Sequence, residues 1–193
     1  MIVFTTVLLW SGIDPKEQFT WLLEVAPAMI AAAVLLITYK SFPLTPLVYA
    51  LILMHCVILM IGGHYTYAEV PFFDGLTDLF GEGRNNYDKL GHFAQGFVPA
   101  LVAREIILRK NIIQRSSWQL FFIVSFCLAF SALYELIEWW VALVSQEASD
   151  AFLGTQGYVW DTQSDMGLAL LGSLIGLISL SRVHDRQLKR IVI

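Results

Sequence analysis

LTPLVYALILMHCVILMIGG, residues 44–63, is the stretch that decides the fold. It contains no Asp, Glu, Lys or Arg, and at 1.5 Å per residue it rises about 30 Å, the thickness of a bilayer's hydrocarbon core. A helix at the edge of a soluble core keeps one polar face, whereas this one is apolar all round and reads as membrane-spanning. His55, alone at its middle, reads as a satisfied core histidine. Working outward, residues 21–39 are apolar apart from Glu24 and end at Lys40. Residues 88–108 form a further span, with Pro99 placed to kink it. Residues 118–143 exceed what a perpendicular crossing needs and are expected to tilt. Residues 164–181 form the last span, and residues 1–11 a short first one.

The expectation is an all-α, polytopic transmembrane helix bundle of six spans in a single integral membrane domain, residues 1–193. Composition agrees: 57% of residues are hydrophobic and 15% charged, against about 25% charged in a soluble domain. The lipid bilayer is the expected partner, and no nucleic acid is. Cys56 and Cys127 lie inside apolar runs, which gives neither a disulfide framework nor a C-x-x-C motif. The opening run to Trp10 lacks the basic start and small-residue end of a cleaved signal.

Charge orients the bundle. Arg104, Arg109, Lys110 and Arg115 cluster between the fourth and fifth spans, and Arg182, Arg186, Lys189 and Arg190 follow the sixth. By the positive-inside rule both clusters are cytoplasmic, as are Lys40 and, with six spans, both termini. The acid-rich segments His64–Lys89 and Ser145–Ser164 then face outward. Trp139, Trp140 and Trp160 fall at an outer aromatic belt and Trp118 at the inner one. Gly167, Gly172, Ser173 and Gly176 give the last span a small-residue face for close helix contact.

Ionisable residues inside such spans are the candidates for chemistry, because they are costly there unless they face a partner or a wet cavity. Asp88 and His92 share a helix face at i,i+4, with Gln95 one turn on. Glu135 and Glu138 lie near the outer end of the fifth span, and Asp161 and Asp165 open the sixth. From Trp118 to Glu135 is about 25 Å of helix, so all three groups reach one outer depth and are expected to converge. His92, Glu135, Glu138 and Asp165 are the expected catalytic set, and the same four could hold one divalent metal ion. Arg84, Asp88, Lys89 and Asp161 are the expected substrate contacts, with Arg84 and Lys89 suited to an anion. The bland reading of the cluster is a buried helix-to-helix lock. Glu24 reads as a snorkelling or capping residue. His64, Tyr65, Tyr67 and Glu69 read as an interfacial anchor, with His64 near enough to join the cluster. Arg104 and Glu105 read as a solvated helix end. No G-x-S-x-G or H-E-x-x-H motif is present.

Tyr65-Thr66-Tyr67-Ala68-Glu69-Val70-Pro71, Asn85-Asn86-Tyr87-Asp88-Lys89-Leu90-Gly91-His92-Phe93, Tyr134-Glu135-Leu136-Ile137-Glu138-Trp139 and Asp161-Thr162-Gln163-Ser164-Asp165-Met166, together with Asp14-Pro15 and Thr20-Trp21-x-x-Glu24, resemble the YjdF family. The resemblance covers most of the chain and implies a bacterial inner-membrane location, with no settled activity to carry over. A second similarity is to VanZ-like membrane proteins, through Asp88, Lys89, His92, Phe93, Glu135 and Asp165. It implies a role at the bacterial envelope, although Glu138 and Asp165 stand where that pattern carries Gln and Asn. The function expected is a metal-dependent or acid/base enzyme acting on an envelope or lipid-linked substrate. The alternatives are a small transporter or cation/proton-binding protein, and a structural membrane subunit.

Overall fold

The computed structural model describes residues 1–67, 69–73, 85–144 and 159–191. Five long helices and a short first one are present among them: α1 (Ile2–Ser11), α2 (Gln18–Thr38), α3 (Pro46–Tyr65), α4 (Tyr87–Arg109), α5 (Ser116–Val144) and α6 (Asp161–Ile191). There is no strand among the described residues. Local chemistry sets the helix starts. Glu17 is extended and its carboxylate accepts the backbone N–H groups of Phe19 and Thr20 to cap α2. The Thr45 hydroxyl accepts the N–H of Val48, and Pro46 follows at the first position of α3, where its missing donor costs nothing. Pro27 and Pro99 lie within helices α2 and α4.

Helices α2, α3, α5 and α6 are long and apolar enough to cross a membrane. Their apolar side chains face outward as well as inward: Ile30, Val34 and Ile37 on α2 and Phe121, Phe122 and Phe126 on α5 are exposed. Lipid is the solvent for such faces. Helix α4, with 23 residues, is long enough but carries Asp88, Lys89, Arg104, Glu105 and Arg109. Helix α1 has 10 residues, about 15 Å or half the core. Helix α6 continues to Ile191, well past the expected end of the last span at 181, because Arg182, Arg186, Lys189 and Arg190 ride on its final turns.

The most extensive contact joins α4 to α6, which run parallel. It is made almost backbone to backbone. A Cβ on Gly96 would sit 1.8 Å from the Ala169 carbonyl oxygen, and one on Gly172 would sit 2.2 Å from that of Phe93. Gly172, Ser173 and Gly176 are buried as the small-residue pattern requires, but a Cβ on Gly167 would meet nothing within 4 Å. Gly167 therefore drops out of the expected face. It lies on the exposed side of α6.

The basic end of the bundle holds a polar clasp that corrects the reading of Glu105 as a solvated end. Glu105 is fully buried. Its carboxylate accepts the Thr45 N–H at 3.0 Å, the Thr45 hydroxyl at 2.7 Å, His184 Nε2–H at 3.0 Å and Arg109 Nη1–H at 2.9 Å. Arg104 donates to His184 Nδ1 at 3.1 Å and to Asp185 at 2.7 Å. One acid thus ties α3, α4 and α6 together with every lone pair engaged.

Gly96→Ala and Gly172→Ala are each expected to cost at least the 1–3 kcal/mol typical of about one excess methyl in a tight core, and Gly167→Ala to cost nothing. Thermal melts in detergent compare the three. Glu105→Ala, which takes the carboxylate from Arg109, His184 Nε2–H and Thr45, is expected to cost about 3–5 kcal/mol by the same assay.

Candidate functional site

The opposite end of the bundle is built differently. Asn85, buried just before α4, donates from Nδ2 to the Val70 carbonyl at 3.0 Å and accepts the Tyr87 N–H at 3.0 Å. The Tyr87 hydroxyl donates to the Ile58 carbonyl at 2.9 Å. These bonds fix the rotation of α4, so that Asp88, His92 and Gln95 turn into the bundle on one face.

His92 is buried. Its Nδ1 lies 3.1 Å from Gln95 Oε1 and 3.7 Å from Glu135 Oε1, and its Nε2 lies 3.3 Å from Asp88 Oδ1. A side-chain carbonyl only accepts, so Nδ1 carries hydrogen towards Gln95. Nε2 is then the nitrogen left to carry either a proton or a metal. Asp165, from the second turn of α6, completes the group: Asp88, His92 and Asp165 each offer an atom, all within 4.8 Å of one another. A cation with bonds of about 2.0–2.2 Å spaces its ligands at about 3–4 Å, so small side-chain rotations close the set.

Among the described residues, the cluster sets one imidazole beside the carboxylates of Asp88, Glu135 and Asp165. Like charges 4 Å apart repel by about 4 kcal/mol at an effective dielectric of 20. Glu135 Oε1 and Asp165 Oδ1 are, moreover, buried without a hydrogen-bond donor among the described residues. Oxygens left in that state are expensive and need a proton, a water or a cation.

Beside His92 lies a cavity of about 40 Å³, walled by Glu24, His55, Tyr67, Asp88, Gln95, Tyr134 and Glu138, among others. It has room for water. Glu24 is buried and accepts the Tyr134 hydroxyl at 2.8 Å. Tyr67 stands at φ 57°, after Thr66 at φ 58°. This left-handed turn folds its ring onto Gly62, where a Cβ would lie 2.3 Å from the ring.

A family model described as "Predicted membrane protein (DUF2238)" matches residues 1–186. The chain belongs to that family. It is 51% identical over 189 residues to Inner membrane protein YjdF of Escherichia coli (strain K12), covering 98% of this chain and 90% of that one. No solved structure matches. With its apolar helices, the protein is a multi-pass inner-membrane protein.

Of the residues singled out by sequence, His92, Asp88, Asp165 and Glu135 meet. Glu138 does not join the ligand group. It lies one turn beyond Tyr134 and shares that residue's face, so it points to the cavity while Glu135 turns to α4. Asp161 is buried at the start of α6. Lys89 is half-buried on the position after Asp88, about 100° around α4. Arg84 lies outside the described residues. His64 faces away from the cluster: its Nδ1 is 3.0 Å from the Ser11 carbonyl and its ring packs on Trp10. Three readings are corrected. Glu24 is not a snorkelling residue, Tyr67 is no interfacial anchor, and His55 is not alone. All three wall the cavity. An acid in an otherwise apolar span was the available signal for Glu24.

Tyr134→Phe removes the described donor to a buried carboxylate and is expected to cost about 1–3 kcal/mol in thermal stability. An unchanged melting temperature would mean that cavity water already serves Glu24.

Proposed function

We propose that this inner-membrane protein holds one divalent cation between Asp88, His92 and Asp165, with Glu135 beside them. The ion would serve an enzyme-like site acting on an envelope or lipid-linked molecule. The observation that carries the reading is the pair of donorless oxygens, Glu135 Oε1 and Asp165 Oδ1, beside the three-residue ligand group. A neutral imidazole with carboxylates suits Zn²⁺ or Mn²⁺ better than Ca²⁺, which takes oxygen ligands alone. The ion would supply Lewis acidity, and the adjoining cavity would hold the water or hydroxyl that it polarises. Glu138 and Glu24, on the cavity wall, are the acid/base partners in this reading. Lys89 and Asp161, near the starts of α4 and α6, are the substrate contacts in this reading.

The same proposal includes six membrane helices, of which α1 crosses only part of the core, with the C-terminus cytoplasmic and the cation site near the outer face. Alternation supports it: α2, α4 and α6 run one way, and α1, α3 and α5 the other, as their contacts require. The arginine-rich ends of α4 and α6 lie together at the end opposite the cluster. A second reading, a cation or proton carrier, draws on the further acids Glu24 and Glu138 around the cavity.

Elemental analysis of the detergent-purified protein, reconstituted with Zn²⁺ or Mn²⁺, tests the site beside a His92→Ala/Glu135→Gln double variant. Near-stoichiometric metal in the wild type that disappears from a variant of native helicity is the expected result. Wild-type protein that takes up neither ion would sink the proposal and leave the cluster a structural lock. Metal that equilibrates across proteoliposome membranes would favour the carrier over the enzyme.

A further inference from the structure

A second cavity, of about 290 Å³, opens between α4, α5 and α6 at the basic end, away from the cation site. Its lining is graded. Arg104, Ser116, Gln119 and Ser181 stand at one end, and Leu120, Ile123, Leu174, Leu177 and Ile178 form the rest. From Ser116 to Ile123 on α5, and from Ser181 back to Leu174 on α6, the helix rises about 10 Å. The groove therefore descends from a polar mouth into hydrocarbon.

Its mouth lies at headgroup level. Trp118 is half-exposed there and packs edge-on against Phe121, the arrangement of an interfacial aromatic belt. The mouth is also cationic. Arg115 and Arg182, the chain neighbours of the lining Ser116 and Ser181, are exposed and have no ion-pair partner among the described residues. Arg104 reaches the same mouth, although Asp185 shares its charge. Basic pockets between transmembrane helices suit anionic lipid headgroups, while a zwitterionic headgroup gains little from them.

We propose that this groove seats one anionic glycerophospholipid of the surrounding leaflet. Its phosphate would lie among Arg104, Arg115 and Arg182, and one acyl chain along Leu120, Ile123, Leu174 and Leu177. The lipid is a fixed part of the α4–α5–α6 contact and not bulk solvent. The site is independent of the proposed cation cluster.

Trp118 reports on it. The other five tryptophans, Trp10, Trp21, Trp139, Trp140 and Trp160, lie at the far end, and the difference between wild type and Trp118→Phe isolates its fluorescence. In nanodiscs, dibrominated phosphatidylglycerol is expected to quench Trp118 several-fold more than dibrominated phosphatidylcholine at the same mole fraction. The preference should fall to near unity in Arg115→Gln/Arg182→Gln, whose exposed positions leave folding intact. It should fall equally in Ser181→Phe, which fills the groove without changing charge. Ile178→Phe, at an exposed edge position, serves the same purpose should Ser181→Phe lose native helicity. Equal quenching by the two lipids overturns the proposal. So does a preference that survives the filled groove, since it would then belong to diffuse surface charge.

Discussion

The contact that the rest of the structure depends on is the close parallel packing of α4 on α6. Gly96, Gly172 and Gly176 let the two backbones meet with no side chain between them. In lipid there is no hydrophobic gain from pressing two apolar helices together, so such packing rests on dispersion and small residues. Parallel register has a further consequence. Residues near the start of α4 meet residues near the start of α6, and those near the ends meet likewise. Asp88 and His92 therefore find Asp165 at one end, while Arg104 and Glu105 find His184 and Asp185 at the other. A slip of one turn, about 5.4 Å, would separate both sets. The glycines thus set the spacing of all the interior charge the two helices carry.

How much of this was legible in the sequence follows from what each residue reports alone. The apolar runs of α2, α3, α5 and α6 announce themselves, because twenty apolar residues have few other uses. The meeting of Asp88, His92, Glu135 and Asp165 followed from depth alone: charges at one level in hydrocarbon have to find each other. Rotation around a helix axis was not legible. Glu135 and Glu138 lie at the same depth, yet one faces α4 and the other the cavity, and only the packing of α5 against its neighbours decides which. The same limit hid Glu24 and Tyr67. Glu105 and His184 were hidden for another reason. Near a helix end, charge reads as solvated, and nothing local to Glu105 shows that the N-terminus of α3, sixty residues away, presents Thr45 to it.

The two polar clusters then differ in a way that bears on function. Glu105 at the basic end is as deeply buried as any group in the protein, and its carboxylate collects four donors. That is what a purely structural lock looks like: a buried ion is tolerated because every lone pair has a partner. The cluster at the other end has the same ingredients, a histidine and carboxylates on α4 and α6, with α5 added. Yet it leaves Glu135 Oε1 and Asp165 Oδ1 without donors among the described residues, and a water-sized cavity lies beside His92 and Asp88. A chain able to satisfy Glu105 completely had the means to satisfy Asp165, since Ser164 sits one position away with its own hydroxyl buried and unpaired. The proposed function rests on this contrast between an unsatisfied group and a satisfied one at opposite ends of the same two helices. The proposed divalent cation would meet both demands at once, because it would bring positive charge to the carboxylates and engage the free oxygens without needing a donor hydrogen.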